Sequence, residues 1–461
     1  MNTLNAFLPE IILTTFVLIN IVLSLFINKH SYKISKILTI FGIFSSMISL
    51  IFTEQMAYQF IFKTMILISA LLVIFCTNEL IREKRNRSFE YFSIFLTGLI
   101  SSFILISSNN FLTAFVAIEL LGISCYFLTG FRKNHKSKEA SLKYLITGAS
   151  ASAFFLLGVS YLYGITGNID FMTINRIIIE EPINLFFICA CIPIIVGTLF
   201  KLGCLPFTNW MVDIYDGANY QTGFYLSLIP KIAAIAFINN LFITILGVAQ
   251  MFKAITAFIA LLTIIYASFG ALKQTNIKRI YAYSSIIHVG FLLLAISTVQ
   301  QYSLSTVIFY LITYIFMNAG IWYVSTIYNT ELKSDELKDY KGLFYKHPYF
   351  SIAYVVNLIA LAGLPPTSGF LAKLYLFTAI SRSDLLWIII LLFAMISTIF
   401  SMFVYFKIIK QLFIKSELNI SIKKQNTQSK IVLYICTIVT ILLCIFPDTI
   451  IKLSQITAFF I

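Results

Sequence analysis

Long apolar runs separated by short polar gaps set the pattern of this chain. Runs near the length of a membrane span fall at 7–27, 34–53, 60–78, 89–108, 110–131, 140–164, 183–212, 221–245, 252–272, 278–298, 303–328, 349–381, 386–413 and 430–450. About 20 apolar residues in a helix cover a hydrocarbon core of ~30 Å, and lipid admits no open strands, so the pattern predicts an all-α polytopic membrane protein with about 14 transmembrane helices. The first run begins on Leu8-Pro9-Glu10, with no basic leader or small-residue cleavage site. It reads as a retained helix rather than a signal peptide.

Two runs are interrupted. The seventh contains Lys201-Leu202-Gly203-Cys204-Leu205-Pro206-Phe207 and the twelfth Ala362-Gly363-Leu364-Pro365-Pro366-Thr367-Ser368-Gly369. Proline removes a backbone donor and glycine loosens the turn, so both are expected to be broken helices whose freed carbonyls face protein or water. Paired interruptions point to an internally repeated transporter fold. The interruptions lie an odd number of spans apart, which predicts two inverted five-helix repeats, each with a broken helix. The expected organisation is an N-terminal three-helix segment over 1–88, a first repeat over 89–245, a second, inverted repeat over 246–415, and a C-terminal helix and tail over 416–461.

Basic residues gather in alternate gaps. Those after odd-numbered runs hold Lys29, Lys33 and Lys36; Arg82, Lys84, Arg85 and Arg87; Arg132, Lys133, Lys136 and Lys138; Lys273, Lys278 and Arg279; Lys333, Lys338, Lys341 and Lys346; Lys415, Lys423 and Lys424. Gaps after even-numbered runs, such as Ser107-Ser108-Asn109-Asn110 and Val299-Gln300-Gln301, hold little basic charge. Lysine and arginine in short loops stay cytoplasmic, so both termini are predicted outside. The gap with Asp213 and Asp216 is the one inner gap that breaks the pattern.

Composition agrees: 59% of the 461 residues are hydrophobic and 11% charged, against about 25% charged in a soluble domain. The net charge of +14 would suggest nucleic acid if it formed a stripe. Spread through the gaps, it is a topology signal instead. The seven cysteines lack the paired spacing of a zinc or iron–sulfur site and read as small hydrophobes. No metal site is expected.

Four ionisable side chains, Glu119, Lys201, Lys231 and Lys373, sit within the apolar runs, where each is by default a functional-site hypothesis. Glu119 lies ~20 Å of helix before the basic edge at Arg132, too deep to snorkel. Lys201 precedes the Pro206 break, at the negative end of a half-helix dipole, and Glu119 is its natural partner. Lys231 follows Pro230 at about 16 Å from either end of its span. Lys373 lies about 10 Å beyond Pro366 and is not the strict repeat-equivalent of Lys201. His288 is the one histidine within an apolar run, read either as packing or as proton relay, and Lys143 either snorkels to the interface or joins the relay. A lysine in low dielectric loses its proton more easily and a nearby carboxylate restores it, so these groups suit proton movement. Glu119 reads as the only deep acid, too few to pair the lysines structurally.

Leu8-Pro9-Glu10, Phe115-Val116-Ala117-Ile118-Glu119-Leu120, Lys143-Tyr144, Phe200-Lys201-Leu202-Gly203 through Pro206-Phe207, Trp210 with Asp213-Ile214-Tyr215-Asp216-Gly217-Ala218, Pro230-Lys231, Tyr283-Ser284-Ser285 with His288, and Leu364-Pro365-Pro366 with Gly369-Phe370 and Lys373 recur in order over nearly the whole chain. The chain resembles the family of subunit N of bacterial NADH:quinone oxidoreductase, respiratory complex I. The resemblance implies an antiporter-like, proton-translocating membrane subunit in the cell inner membrane. In it Glu119 and Lys201 would be coupled, Lys231 the central relay with His288 carrying the proton onward, and Lys373 the outward path. It implies other complex I subunits and the bilayer as partners, with NADH, FMN, iron–sulfur clusters and quinone handled by those subunits, and no cofactor or nucleic acid here. This chain has no Gly-rich dinucleotide fingerprint. Departures cluster near the first break: Asp216 replaces the family's glutamate, Asn219-Tyr220-Gln221 replaces a Pro-Thr-Pro-like run, and Thr208 stands where many relatives carry histidine. A multi-subunit cation/proton antiporter, which shares the fold, is the alternative. A scaffold without proton chemistry is a third reading, against which the deep charges argue.

Overall fold

The computed structural model describes residues 3–27, 31–53, 55–76, 87–132, 134–180, 185–248, 250–298, 303–381, 385–415 and 427–448. Of the residues that set the expected topology, Lys29, Arg82, Lys84, Arg85, Lys133, Val299, Gln300, Gln301, Lys423 and Lys424 lie outside the described residues.

The helices follow the apolar runs closely. In chain order they are α1 (Leu8–Phe26), α2 (Ser31–Phe52), α3 (Ala57–Cys76), α4 (Ser88–Ile106), α5 (Phe111–Gly130), α6 (His135–Thr166), α7 (Phe171–Glu180), α8 (Leu185–Leu202), α9 (Asn209–Gly217), α10 (Tyr220–Thr244), α11 (Gln250–Leu272), α12 (Ile277–Thr298), α13 (Ser303–Leu332), α14 (Pro348–Ala362), α15 (Ser368–Ser381), α16 (Leu385–Phe413) and α17 (Thr427–Ile445). Among the described residues 13 helices are long and apolar enough to cross a membrane, and α14 and α15, the two halves of the twelfth apolar run, are shorter apolar helices. Helix α7 has no counterpart among the apolar runs. It is an amphipathic helix that buries Phe171, Ile174 and Ile178 along one face.

The chain divides into two compact units, one formed by 1–202 and 217–248, the other by 203–216 and 249–459. In unit 1, α1 packs on α2 and α4, α8 lies along α6, and α3 and α4 pack on α10. In unit 2, α12 lies along α11, and α13 packs on α14, α15 and α17. Among the described residues the most enclosed spanning helix of unit 1 is α10, whose apolar window is 83% buried, and that of unit 2 is α12, whose window is 100% buried, with α13 beside it at 89%. A helix apolar on all sides has no face for solvent or lipid and belongs inside. Lys231 and His288 stand at the midpoints of α10 and α12, 3% and 1% exposed.

Both breaks have a local cause. Helix α8 stops where Gly203 takes φ +70°, and α14 where Gly363 takes φ +82°. Side chains with a Cβ disfavour these angles, so each glycine ends its helix in the left-handed region. The Gly363 N–H donates to Ile359 O and Ala360 O, both at 3.0 Å, closing the end of α14. Each break then passes a cis X-Pro bond, Leu205-Pro206 and Pro365-Pro366.

A second device repeats. Phe111 N donates to Ile169 O at 3.1 Å and Phe171 N to Asn109 O at 3.0 Å, forming an isolated bridge of Asn110 with Asp170. In unit 2, Ile277 N donates to Asp335 O at 2.9 Å and Leu337 N to Thr275 O at 2.8 Å, bridging Asn276 with Glu336 at the same separation along the chain. Each asparagine also caps the helix it begins: Asn110 Oδ1 accepts from Thr113 N at 2.8 Å, and Asn276 Oδ1 from Lys278 N at 2.9 Å. Side-chain acceptors at this position satisfy first-turn N–H groups that have no helical partner.

Candidate functional site

Glu119, two turns into α5, is half-buried, and its Oε1 accepts from the Ser152 hydroxyl on α6. Lys201 falls in the last turn of α8, as its place before the break predicts. Its ammonium is buried and has no hydrogen-bond partner among the described residues. It lies 5.9 Å from the centre of the Tyr126 ring. Gly122, between Glu119 and Tyr126 on α5, makes room for both: a Cβ there would stand 2.9 Å from the Tyr126 hydroxyl and 3.1 Å from Lys201 Nζ. Glu119 and Lys201 are therefore neighbours whose charged atoms are held apart, the acid by Ser152, the base beside an aromatic face.

A cavity of about 20 Å³, the volume open to the centre of a water molecule, adjoins Lys201. Its wall includes Gly122, Cys125, Tyr144 and Thr198 on one side and Pro230 and Ala234 of α10 on the other. That is room for one or two waters. Pro230 cannot donate to the Leu226 carbonyl one turn back, so α10 carries a backbone acceptor without its usual helical donor close to Lys231. Water here would join the Lys201 ammonium to the wall that carries Lys231.

In unit 2 the midpoint histidine is tied on both ring nitrogens. Nδ1 lies 2.8 Å from the Tyr310 hydroxyl and Nε2 3.3 Å from that of Tyr405, which in turn bonds Ser284 at 2.6 Å. Toward the Asn276 end of α12 the hydroxyls continue: Tyr215 reaches Ser285 at 3.4 Å, and Tyr281 bonds Ser325 and Tyr354. Lys373 is 5% exposed, and its ammonium donates to Ala362 O at 2.7 Å and Leu361 O at 3.2 Å, the last carbonyls of α14. It also sits 5.4 Å from the ring of Phe291, one turn beyond His288 on α12. Lys201 and Lys373 are not equivalent in sequence, one lying before its break and the other after. Both nonetheless belong to the C-terminal end of the first half of a broken helix, Lys201 as a residue of its last turn and Lys373 through its ammonium on the last carbonyls, where the dipole favours positive charge.

The structure thus brings Glu119 near Lys201, sets Lys373 against Phe291 one turn from His288 on α12, and encloses Lys231. It does not add Lys143 to either group. Lys143 is 46% exposed on α6 and pairs with Glu139 one turn back at 2.8 Å.

Glu119 is not the only enclosed acid, although the second one lies at a span edge rather than deep in a span. Glu10 is 5% exposed and pairs at 2.7 Å with Lys63, itself 1% exposed. Lys63 falls early in the third apolar run, and Glu10 early in the first, so both resemble span edges. Ser152, Tyr310 and Tyr405 also escape a reading of the sequence, because neutral hydroxyls in apolar runs give no signal. The small-residue stretch Gly148-Ala149-Ser150-Ala151-Ser152 is the available cue to close helix approach.

The acidic exception to the loop pattern has a partner. Arg279 bonds Asp216 at 3.1 Å and approaches Asp213 at 3.5 Å, while Lys278 pairs with Asp335 at 3.0 Å. Three of the departing residues near the first break find polar partners, whereas Gln221, 1% exposed, has none for its side-chain amide among the described residues. Asp216 meets Arg279, Asn219 caps α10 by accepting from Thr222 N at 2.6 Å, and Thr208, 2% exposed, lies 3.4 Å from Asn209 Oδ1.

The family described as NADH:quinone oxidoreductase/Mrp antiporter, transmembrane region, matches residues 108–401. The chain is 31% identical over 484 residues to the chloroplastic NAD(P)H-quinone oxidoreductase subunit 2 of Mesostigma viride, covering 98% of this chain and 96% of that protein. It is 33% identical over 356 residues to NADH-quinone oxidoreductase subunit N 2 of Rhizobium meliloti (strain 1021), covering 77% and 74%. A chain of respiratory complex I from Thermus thermophilus superposes with a TM-score of 0.83 over 97% of this chain and 100% of that one, at 23% identity, a likeness of fold. With the match spanning both broken helices and both midpoint residues, the chain belongs to the NADH:quinone oxidoreductase/Mrp antiporter membrane family.

Proposed function

We propose that this chain is a proton-translocating membrane subunit of a respiratory NADH:quinone oxidoreductase. One observation carries the reading. The most enclosed spanning helix of each unit holds an ionisable residue at its midpoint and packs on a half of a broken helix, and a buried lysine ammonium accompanies each break, Lys201 from the last turn of α8 and Lys373 against the last carbonyls of α14. A membrane interior tolerates such groups where they serve ion or proton paths.

In unit 1, Glu119, Lys201 and Lys231 exchange protons. Ser152 holds the Glu119 carboxylate off Lys201, and a shift of the carboxylate toward Lys201 changes how firmly each group keeps its proton. In unit 2, His288 exchanges protons through Tyr310 and Tyr405, and Lys373 holds or releases one against the α14 carbonyls. Lys143, neutralised by Glu139 on an exposed face, has no step in this scheme. NADH oxidation and quinone reduction, with flavin and iron–sulfur clusters, belong to partner subunits. The membrane is the cell inner membrane, with the Asn110–Asp170 end of unit 1 outside, the Arg279 end of unit 2 inside, and both termini outside.

The test is association. Purification of a tagged full-length chain from its native membranes is expected to bring down flavin- and iron–sulfur-containing NADH-oxidising subunits. Recovery without them, together with sodium-driven pH changes in vesicles that lack NADH dehydrogenase, would establish the antiporter instead.

A further inference from the structure

The Glu10–Lys63 pair belongs to neither group of relay residues, and no step of the proposed scheme uses it. Its geometry is specific. Lys63 Nζ donates to Glu10 Oε1 at 2.7 Å, and the ammonium stands 5.5 Å from the centre of the Phe103 ring. The second carboxylate oxygen, Oε2, is buried and has no hydrogen-bond partner among the described residues. An ionised carboxylate has acceptor sites on both oxygens, so Oε2 offers an open position for a proton or a water. Glu10 lies in the first turn of α1, the positive end of that helix, which holds the carboxylate's charge without occupying Oε2.

The pair lies at one end of unit 1. Phe103 is three residues from the end of α4, and the Ser107–Asn110 gap with the Asp170 bridge follows at once. At the same end Gln55 donates to Ala6 O at 3.0 Å. The other charged groups on the helices packed here are Lys33 and Lys36 at the far end of α2, Glu90 at the far end of α4, and Lys231 halfway along α10. The same helices also wall the relay. Helix α4 carries Phe103 against Lys63 and, two residues on, Leu105 in the wall of the Lys201 cavity. Helix α3 carries Lys63 and, through the Tyr58 hydroxyl, bonds Ala236 O on α10, the helix of Lys231.

We propose that Glu10 and Lys63 form a further proton-exchanging site, serving unit 1 at its Asn110–Asp170 end. A proton arriving from the interior forms an O–H bond at Oε2, converting the carboxylate to a carboxylic acid beside the Lys63 ammonium. That positive neighbour favours release, and the same O–H bond breaks as the proton leaves toward the end of the unit. Lys63 remains an ammonium, and no other bond changes. A purely stabilising role is the weaker explanation, because an apolar pair of similar volume serves stability as well as a buried ion pair or better. The inference rests on the proton-translocation reading of the chain.

The test uses the whole complex reconstituted in vesicles and measures protons moved per NADH oxidised, a ratio that corrects for assembly. Glu10→Gln leaves the Lys63 ammonium without its counter-charge, so the double variant E10L/K63M, which removes both charges, is the decisive one. Both variants are expected to lower the ratio to that of Lys231→Ala, with no further drop when combined with it. Glu10→Gln is also expected to erase an infrared difference band of a protonated carboxyl. A full ratio in E10L/K63M alongside a lowered one in Lys231→Ala would overturn this inference alone. A full ratio in Lys231→Ala as well would overturn the relay reading beneath it.

Discussion

Lys201 and Glu119 stand close, yet each is held by something other than its counterpart: Glu119 by the Ser152 hydroxyl, Lys201 beside the Tyr126 ring. Ser152 then acts on the chemistry through Glu119. Ser152→Ala is expected to slow proton translocation while leaving thermal stability within about 1 kcal/mol, since one hydrogen bond to a half-buried group is lost. Ser152→Thr, which keeps the hydroxyl, should restore the rate; no difference between Ala and Thr would remove Ser152 from the account. Gly363 is the second residue on which much depends. Its φ is +82°, and a methyl group on its Cα would stand 2.6 Å from Lys373 Cδ, which leaves no place for a side chain. Gly363→Ala should cost about 1–2 kcal/mol from the backbone angle alone and displace the Lys373 ammonium from the α14 carbonyls, read as a lower melting temperature together with slower pumping. The deep charges were legible because Lys and Glu are conspicuous in apolar runs. Their partners were not, because Ser152, Tyr310 and Tyr405 differ little in the pattern from the residues around them.

Helix breaks show the same contrast between what a pattern reveals and what only packing decides. The clusters at Gly203-Cys204-Leu205-Pro206 and Gly363-Leu364-Pro365-Pro366 mark both interruptions, because glycine and proline end helices by their own geometry. The close approach of α15 to α14 is invisible in the sequence: a Cβ at Gly369 would run into Ala360 O, so the two half-helices meet there with no room for a side chain. Gly369→Ala is expected to push the half-helices apart and weaken assembly, measured as loss of the purified complex at unchanged expression. The paired asparagine caps are equally hidden, since Asn110 and Asn276 sit in gaps that speak mainly through their charge. Removing either cap should cost about 1 kcal/mol, and Asn276→Ala should cost more than an exposed-loop substitution in unit 2 because it also loosens Lys278 and Arg279 next to their acids. A thermal melt of each variant beside a Gln274→Ala control checks this.

Across the whole molecule, contacts within each unit obey the alternation of the gaps. In unit 1 the chain ahead of α1 meets the gap after α2, and the gap after α4 bridges the one after α6. In unit 2 the gap after α11 bonds both α9, through Arg279, and the segment after α13, and Lys407 near the end of α16 donates to Gln274 O at 2.8 Å. Every such pair joins gaps of one parity, so one missed or invented span would have broken the agreement. Single cysteines placed at Asn168 and at Gln274 are expected to react with an impermeant thiol reagent from opposite faces of the membrane, Asn168 from outside; labelling of both from one face would contradict the topology. The alternation was readable because charge in loops is set by insertion into the membrane. The Glu10–Lys63 pair was not readable, because two charges near span edges join only once α1, α3 and α4 have packed. The central claim is that the charges enclosed in these helices carry protons. It is tested most directly by protons moved per NADH oxidised in vesicles containing the assembled complex with Lys231→Ala. A clearly lowered ratio is predicted, and an unchanged ratio in a fully assembled complex would contradict the account.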